Sequence, residues 1–137
     1  MRKLLLRIQD VLTGDKHLTE VLPSDNIGSS VRQNAKWPCL EYGVSDVPRQ
    51  HPSGKLVTAI SIRIYSTTGP SECWQIAERL RPIMIPKVLT DKDLRFKVDK
   101  VRLTDTIAET DLFTDWRYRV EVEYTIWLTE LDTIPQT

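Results

Sequence analysis

Residues that would carry chemistry are scarce in this chain of 137 residues, which has two cysteines and two histidines. Cys39 and Cys73 lack the density of a secreted disulfide scaffold and the paired spacing of a zinc site. Each reads as a small buried hydrophobe. Cys73 falls in the first turn of a predicted helix, a place that can lower a thiol pKa, but neither thiol has a histidine near it in sequence. A Ser–His–acid arrangement would have to use His17 or His51. His17 sits among Lys16, Leu18 and Thr19, and His51 in a proline-rich stretch, so both read as surface residues. The glycines at 14, 28, 43, 54 and 69 are scattered singly, which excludes a glycine-rich phosphate cradle. Asp91 and Asp93 read as a solvated turn rather than a cation site. The expectation is a protein that is not an enzyme and takes no cofactor or metal.

Long apolar runs are also missing. Met1 to Leu6 begins like a signal peptide, but Arg7, Gln9 and Asp10 cut the run short and no small-residue cleavage site follows. No stretch approaches the length of a membrane span, so the expectation is a membrane-free protein made in a reducing cytoplasm. Nor is there a charge excess. Nineteen basic and nineteen acidic side chains cancel, leaving no global field to recruit nucleic acid. The charges are unevenly placed, however. Lys87, Lys92, Arg95, Lys97, Lys100 and Arg102 crowd one segment, diluted by Asp91, Asp93 and Asp99. Asp105, Glu109, Asp111 and Asp115 follow with no base among them. These are either two solvated faces or two patches that meet on neighbouring subunits.

What the chain does have is clear periodicity. Leu56, Ile60, Ile62 and Ile64 alternate with Val57, Ala59, Ser61, Arg63 and Tyr65, as on a strand with one aliphatic face. Thr67 to Pro70 break it, and Pro70 suits a first helical turn. Glu72 favours the positive end of the helix dipole. Cys73, Trp74, Ile76, Ala77, Leu80 and Ile83 then recur at helical spacing. Leu4, Leu5, Ile8, Val11 and Leu12 form another helical face, ending at Thr13-Gly14. A short helical turn is expected between Asp15 and Leu22, a short strand over Ile27 to Arg32, a turn at Gln33 to Lys36, and a strand over Cys39 to Val44 entered through Pro38. Asp46 to Lys55 carries Pro48, Pro52 and Gly54, and reads as an exposed hairpin loop. Leu94 to Leu103 reads as a strand, and polar, acidic Thr104 to Asp115 as a second long loop. Trp116, Tyr118, Val120, Val122, Tyr124, Ile126 and Leu128 alternate with Arg117, Arg119, Glu121, Glu123, Thr125 and Trp127, as in an antiparallel strand with one wet side.

The length suggests one domain over residues 1–137, with 131–137 a loose tail. The element order suggests an α+β fold: a mostly antiparallel sheet with two main helices packed on one face. Tyr65 and Trp127 fall on the polar faces of their strands. They would make either a stacking platform for a small nucleic-acid-binding module or aromatic anchors at a subunit contact. Glu121 and Glu123 beside them would repel phosphate.

In order, the segments resemble the lambda-type tail terminator and tail-completion proteins of long-tailed phages. Trp37-Pro38-Cys39-Leu40 resembles that family's entry into a strand, and Ala59 to Tyr65 its long strand before the second helix. Arg79-Leu80-Arg81-Pro82-Ile83-Met84 resembles the end of that helix, and Tyr118 to Trp127 the closing strand. The resemblance implies a structural virion protein, assembled in the bacterial host's cytoplasm and ending at the tail–neck junction. Such proteins form a homo-oligomeric ring, usually a hexamer, that caps the tail tube and meets the head connector or neck protein. DNA passes through the bore without sequence-specific binding. A head–tail joining protein of the neck is the near alternative. The residues expected at subunit or partner contacts are Arg49, Gln50 and His51 of the proline-rich loop, the aromatics Tyr65 and Trp127, basic Lys97, Lys100 and Arg102, and acidic Asp105, Glu109 and Asp111.

Overall fold

Alternating strands with one aliphatic face can be stable only if something covers that face, and here four helices do. The computed structural model describes residues 2–30, 37–52 and 54–131. The elements are α1 (Arg2–Gly14), α2 (Lys16–Thr19), a 3-10 turn (Ser24–Asn26), β1 (Ile27–Gly28), β2 (Cys39–Gln50), β3 (Leu56–Ser66), α3 (Pro70–Leu80), α4 (Pro86–Leu89), β4 (Phe96–Asp111) and β5 (Arg117–Glu130). Among the described residues the sheet has five strands in the order β1-β2-β3-β5-β4. Only the β1–β2 pair is parallel; the other three pairs are antiparallel. This is the α+β fold expected. The expected turn at 33–36, the end of the 27–32 strand and the tail beyond Leu131 lie outside the described residues.

The core lies between the sheet and the helices. Ile60, Ile62 and Ile64 of β3 are fully buried with Leu40 of β2 and Ile126 of β5. Leu4, Ile8 and Leu12 of α1 and Cys73, Ile76 and Leu80 of α3 close over them. Each such aliphatic side chain contributes roughly 1.5–3 kcal/mol of transfer free energy. Asp15 caps α2 by accepting the Leu18 N–H at 2.8 Å, as a helix start requires. Trp74, placed with the inward row by its spacing, instead points outward and is 41 % exposed.

Two segments expected as loops are strand. β2 runs past Val44 to Gln50, leaving a short turn at 51–55. Among the described residues β1 pairs with β2 only at Leu40 and Glu41, which leaves the far half of β2 at the sheet edge. Its register to β3 shifts between Asp46 and Arg49, and Pro48 sits in that bulge. An edge bulge is where proline costs a strand least. Likewise β4 continues through Thr104 to Asp111, pairing with β5 as far as Arg117. Pairing to a strongly patterned partner overrides the polar composition of this half.

One further departure sits where β5 begins. Arg117 has a φ of 62°, the left-handed region that non-glycine residues rarely adopt. The chain turns there, so Trp116 and Tyr118 pack on opposite sides of the sheet. Tyr118 joins the main core, and Trp116 joins Tyr65 and Cys39 in a second, smaller cluster.

Candidate assembly surfaces

The side of the sheet away from the helices is mostly polar, with Glu41, Ser61 and the small Cys39–Tyr65–Trp116 cluster buried on it. Strand register places Glu41, Arg63 and Glu121 directly opposite one another across β2, β3 and β5. Cross-strand charges of opposite sign stabilise such a row. Ser61 Oγ donates to Glu121 Oε1 at 2.5 Å. Further along β5, Arg119 Nη2 meets Glu109 Oε2 of β4 at 2.6 Å, and its guanidinium lies 5.8 Å from the Trp116 ring centre. Acidic Glu123 and Asp105 face each other in the next pairs. Carboxylates outnumber cations on this part of the face, which disfavours a phosphate backbone.

Tyr65 does not offer a stacking surface. It is 1 % exposed, packed 5.6 Å from Trp116 and 6.4 Å from Trp37 between ring centres. It also lies far from Trp127: Trp127 pairs with Val57, and Tyr65 with Arg119. Eight residues of strand separate them, roughly 26 Å. The aromatic pair read from the sequence is therefore not a platform, because the turn at Arg117 brings a second aromatic over Tyr65.

Trp127 has other company. Arg49, Gln50, His51 and Pro52 at the β2–β3 turn line a groove of about 430 Å³ with Val57, Thr125 and Trp127. Lys100, opposite Trp127 in register, holds its ammonium 5.0 Å from the indole centre. Five of the residues singled out by sequence thus come together: Arg49, Gln50, His51, Lys100 and Trp127.

Tyr65 aside, the remaining five lie along one strand with Lys100. Lys97 and Arg102 belong to the first half of β4, and Asp105, Glu109 and Asp111 to the second. The basic and acidic segments are thus two ends of a single element at the sheet margin. β4 is last in the strand order, and charges along a margin, with the bulges at Val98–Lys100 and Leu103–Asp105, are how sheets discourage indiscriminate edge pairing.

Two apolar features lie within these basic and acidic segments. The β4–β5 turn carries Leu112, 64 % exposed, and Phe113, wholly exposed at 101 %. Their signal was visible as two large apolar residues inside an acidic run. At the other end of β4, Pro86, Thr90, Val98 and Leu131 form an apolar hollow of about 560 Å³ rimmed by Lys87, Lys92 and Lys97. Its three lysines belong to the basic segment read from the sequence, and Leu131 closes it from a distant part of the chain.

Three titratable groups show what the covered side does to ionisation. Burial pushes the Cys73 thiol up to about 11, with Glu72 adding to the effect. The helix start therefore does not activate it. Burial likewise raises Tyr42, aided by Asp10, and Tyr124, where Glu78 adds and Arg81 opposes. Among the described residues no group of three or more His, Cys, Asp or Glu side chains is arranged to hold a metal ion. No helix among them is long and apolar enough to cross a membrane.

No family model matches the chain, and no curated protein matches it in sequence. Its fold does match solved structures. One is a chain in the structure titled "Virion of native gene transfer agent (GTA) particle", with a TM-score of 0.68 and 11 % identity, covering 88 % of this chain and 90 % of that one. Nearly the whole of both chains shares the architecture, and at this identity the likeness is one of fold.

Proposed function

We propose that this protein is a non-enzymatic structural subunit of a virion, a tail terminator. In this reading it forms a ring, hexameric in the resembled family, at the head-proximal end of a long phage tail. The ring caps the tail tube, receives the head connector or neck protein, and lets DNA pass through its bore. The observation that carries the reading is the end-to-end fold likeness to a chain from a virion particle. The sequence resemblance supports it independently. The layout of charge along β4 suits a ring, because head-to-tail contacts join two different patches of each subunit.

Native mass across a concentration series tests the ring. A discrete closed species is expected, and a monomer at every concentration would count against the reading. Electron microscopy of tails assembled without the protein tests the role. Overlong tubes are expected of a missing terminator, whereas tubes of normal length lacking heads would assign the protein to head–tail joining.

A further inference from the structure

The tip of the β4–β5 hairpin is built to project an apolar side chain. Asp111 Oδ1 accepts the Phe113 N–H at 3.0 Å, and the Asp111 carbonyl accepts Thr114 Oγ1 at 2.8 Å and the Thr114 N–H at 3.2 Å. Thr114 Oγ1 in turn accepts the Arg117 N–H at 3.1 Å. These bonds hold the turn while Leu112 and Phe113 stand in solvent, flanked by Asp111 and Asp115. A fully exposed phenylalanine on an ordered turn contributes nothing to the fold of its own chain. A turn already held in shape has less entropy to lose on docking.

The hollow at the other end of β4 is its complement. Its walls are apolar and its rim carries three ammonium groups. Lys97 reaches Asp99 only at 3.9 Å, and neither Lys87 nor Lys92 has an ion pair among the described residues. The walls are held in place: Thr90 Oγ1 accepts the Val98 N–H at 3.0 Å, Leu131 N–H donates to the Arg95 carbonyl at 2.8 Å, and Arg7 Nη2 donates to the Val88 carbonyl at 2.9 Å. At about 560 Å³ it falls within the usual range of binding pockets. Val98 and Phe113 are separated by almost the whole of β4, roughly 50 Å at strand spacing. The tip cannot reach the hollow of its own chain.

We propose that the hairpin tip of one copy, anchored by Phe113, seats in the hollow beneath Lys87, Lys92 and Lys97 of a second copy. The carboxylates of Asp111 and Asp115 then meet the lysine rim while the ring enters the apolar floor. Knob and hollow are different patches of one subunit, so the contact is head-to-tail and repeats around a closed circle. This rests on the ring reading above and names its contact.

Sedimentation of the full chain tests it, with Phe113→Ser compared to the native protein. The variant should keep the native urea midpoint, since Phe113 touches nothing in its own chain, and should associate roughly thirtyfold more weakly, as expected for loss of a buried aromatic anchor. A chain carrying Lys87→Glu, Lys92→Glu and Lys97→Glu should also fail to associate. Adding Asp115→Lys to that chain, which leaves the Asp111 bond to the turn intact, should restore part of the association. Native rings with Phe113→Ser rings of equal stability would overturn the contact and leave the ring reading standing. The contact also falls if removing residues 132–137 blocks assembly while Phe113→Ser does not, since the hollow would then serve the chain's own terminus. A native chain that never associates would remove both readings.

Discussion

β3 and the distal half of β4 belong to the same sheet, yet their apolar residues have opposite fates. Ile60, Ile62 and Ile64 are fully buried beneath α1 and α3, whereas Leu103 and Ile107 of β4 are 43 % and 47 % exposed. The strands differ in pattern and in position: β3 alternates and is central, whereas the far half of β4 is polar and forms the sheet margin. The helices cover β3 and β5, where Val120 and Val122 are buried, whereas β4 is the outer strand and its Ile107, opposite Glu121, faces away from them. Apolar residues beyond the helices' reach are therefore available to other molecules, which is how a small α+β domain can be stable alone and still carry adhesive ends.

The sharpest way to break this comparison is to truncate one isoleucine from each strand. Ile62→Ala should cost about 3–4 kcal/mol by leaving a cavity under α3, and Ile107→Ala less than about 0.5 kcal/mol. Urea denaturation reads both, and equal losses would mean that the hairpin is packed in the monomer. Alkaline pH acts on the covered side next. Cys73, Tyr42 and Tyr124 all hold their protons more tightly folded than unfolded. Above about pH 9 the unfolded chain therefore binds fewer protons than the native one, and stability falls as pH rises. The Cys73 contribution is present below pH 9 and lost as pH climbs towards about 11. Urea midpoints at increasing pH should decline, and Cys73→Ala should flatten part of the decline.

A smaller effect is expected where the two regions join. Ser66 Oγ donates to Glu72 Oε1 at 2.7 Å and accepts the Thr68 N–H at 3.0 Å, linking the end of β3 to the start of α3. Ser66→Ala should cost about 1 kcal/mol by removing a buried hydroxyl and its hydrogen bonds to Glu72 and Thr68. A further small effect is expected from the ion pair across the hairpin. The Arg119–Glu109 pair is partly exposed, so Glu109→Gln should cost under about 1 kcal/mol, an effect that shrinks further in high salt. A salt-independent loss of several kcal/mol would show that the hairpin is more deeply desolvated than its exposure indicates.

The candidate surfaces were partly legible in the sequence. Arg49, Gln50, His51, Lys100 and Trp127 come together much as their residue types suggested, because exposed polar and aromatic positions on neighbouring strands converge once register is set. Tyr65 went the other way, since its burial depends on Trp116 crossing the sheet at a left-handed Arg117. Residues 46–50 and 104–111 read as loops because their composition is polar and proline-bearing. Their strand character comes from β3 and β5, to which they are hydrogen-bonded.

The periodicity of α1, β3, α3 and β5 was written in the chain, because burial on one face imposes spacings of 3.6 and 2 on any stable element. From those spacings came the α+β class and most of the core. Which side of the sheet received cover, how far β2 and β4 extended, and the placing of a lysine-rimmed hollow at one end of β4 with Phe113 at the other were decided by tertiary structure alone. Those depend on pairings between segments far apart in sequence, and local pattern carries no record of its partners.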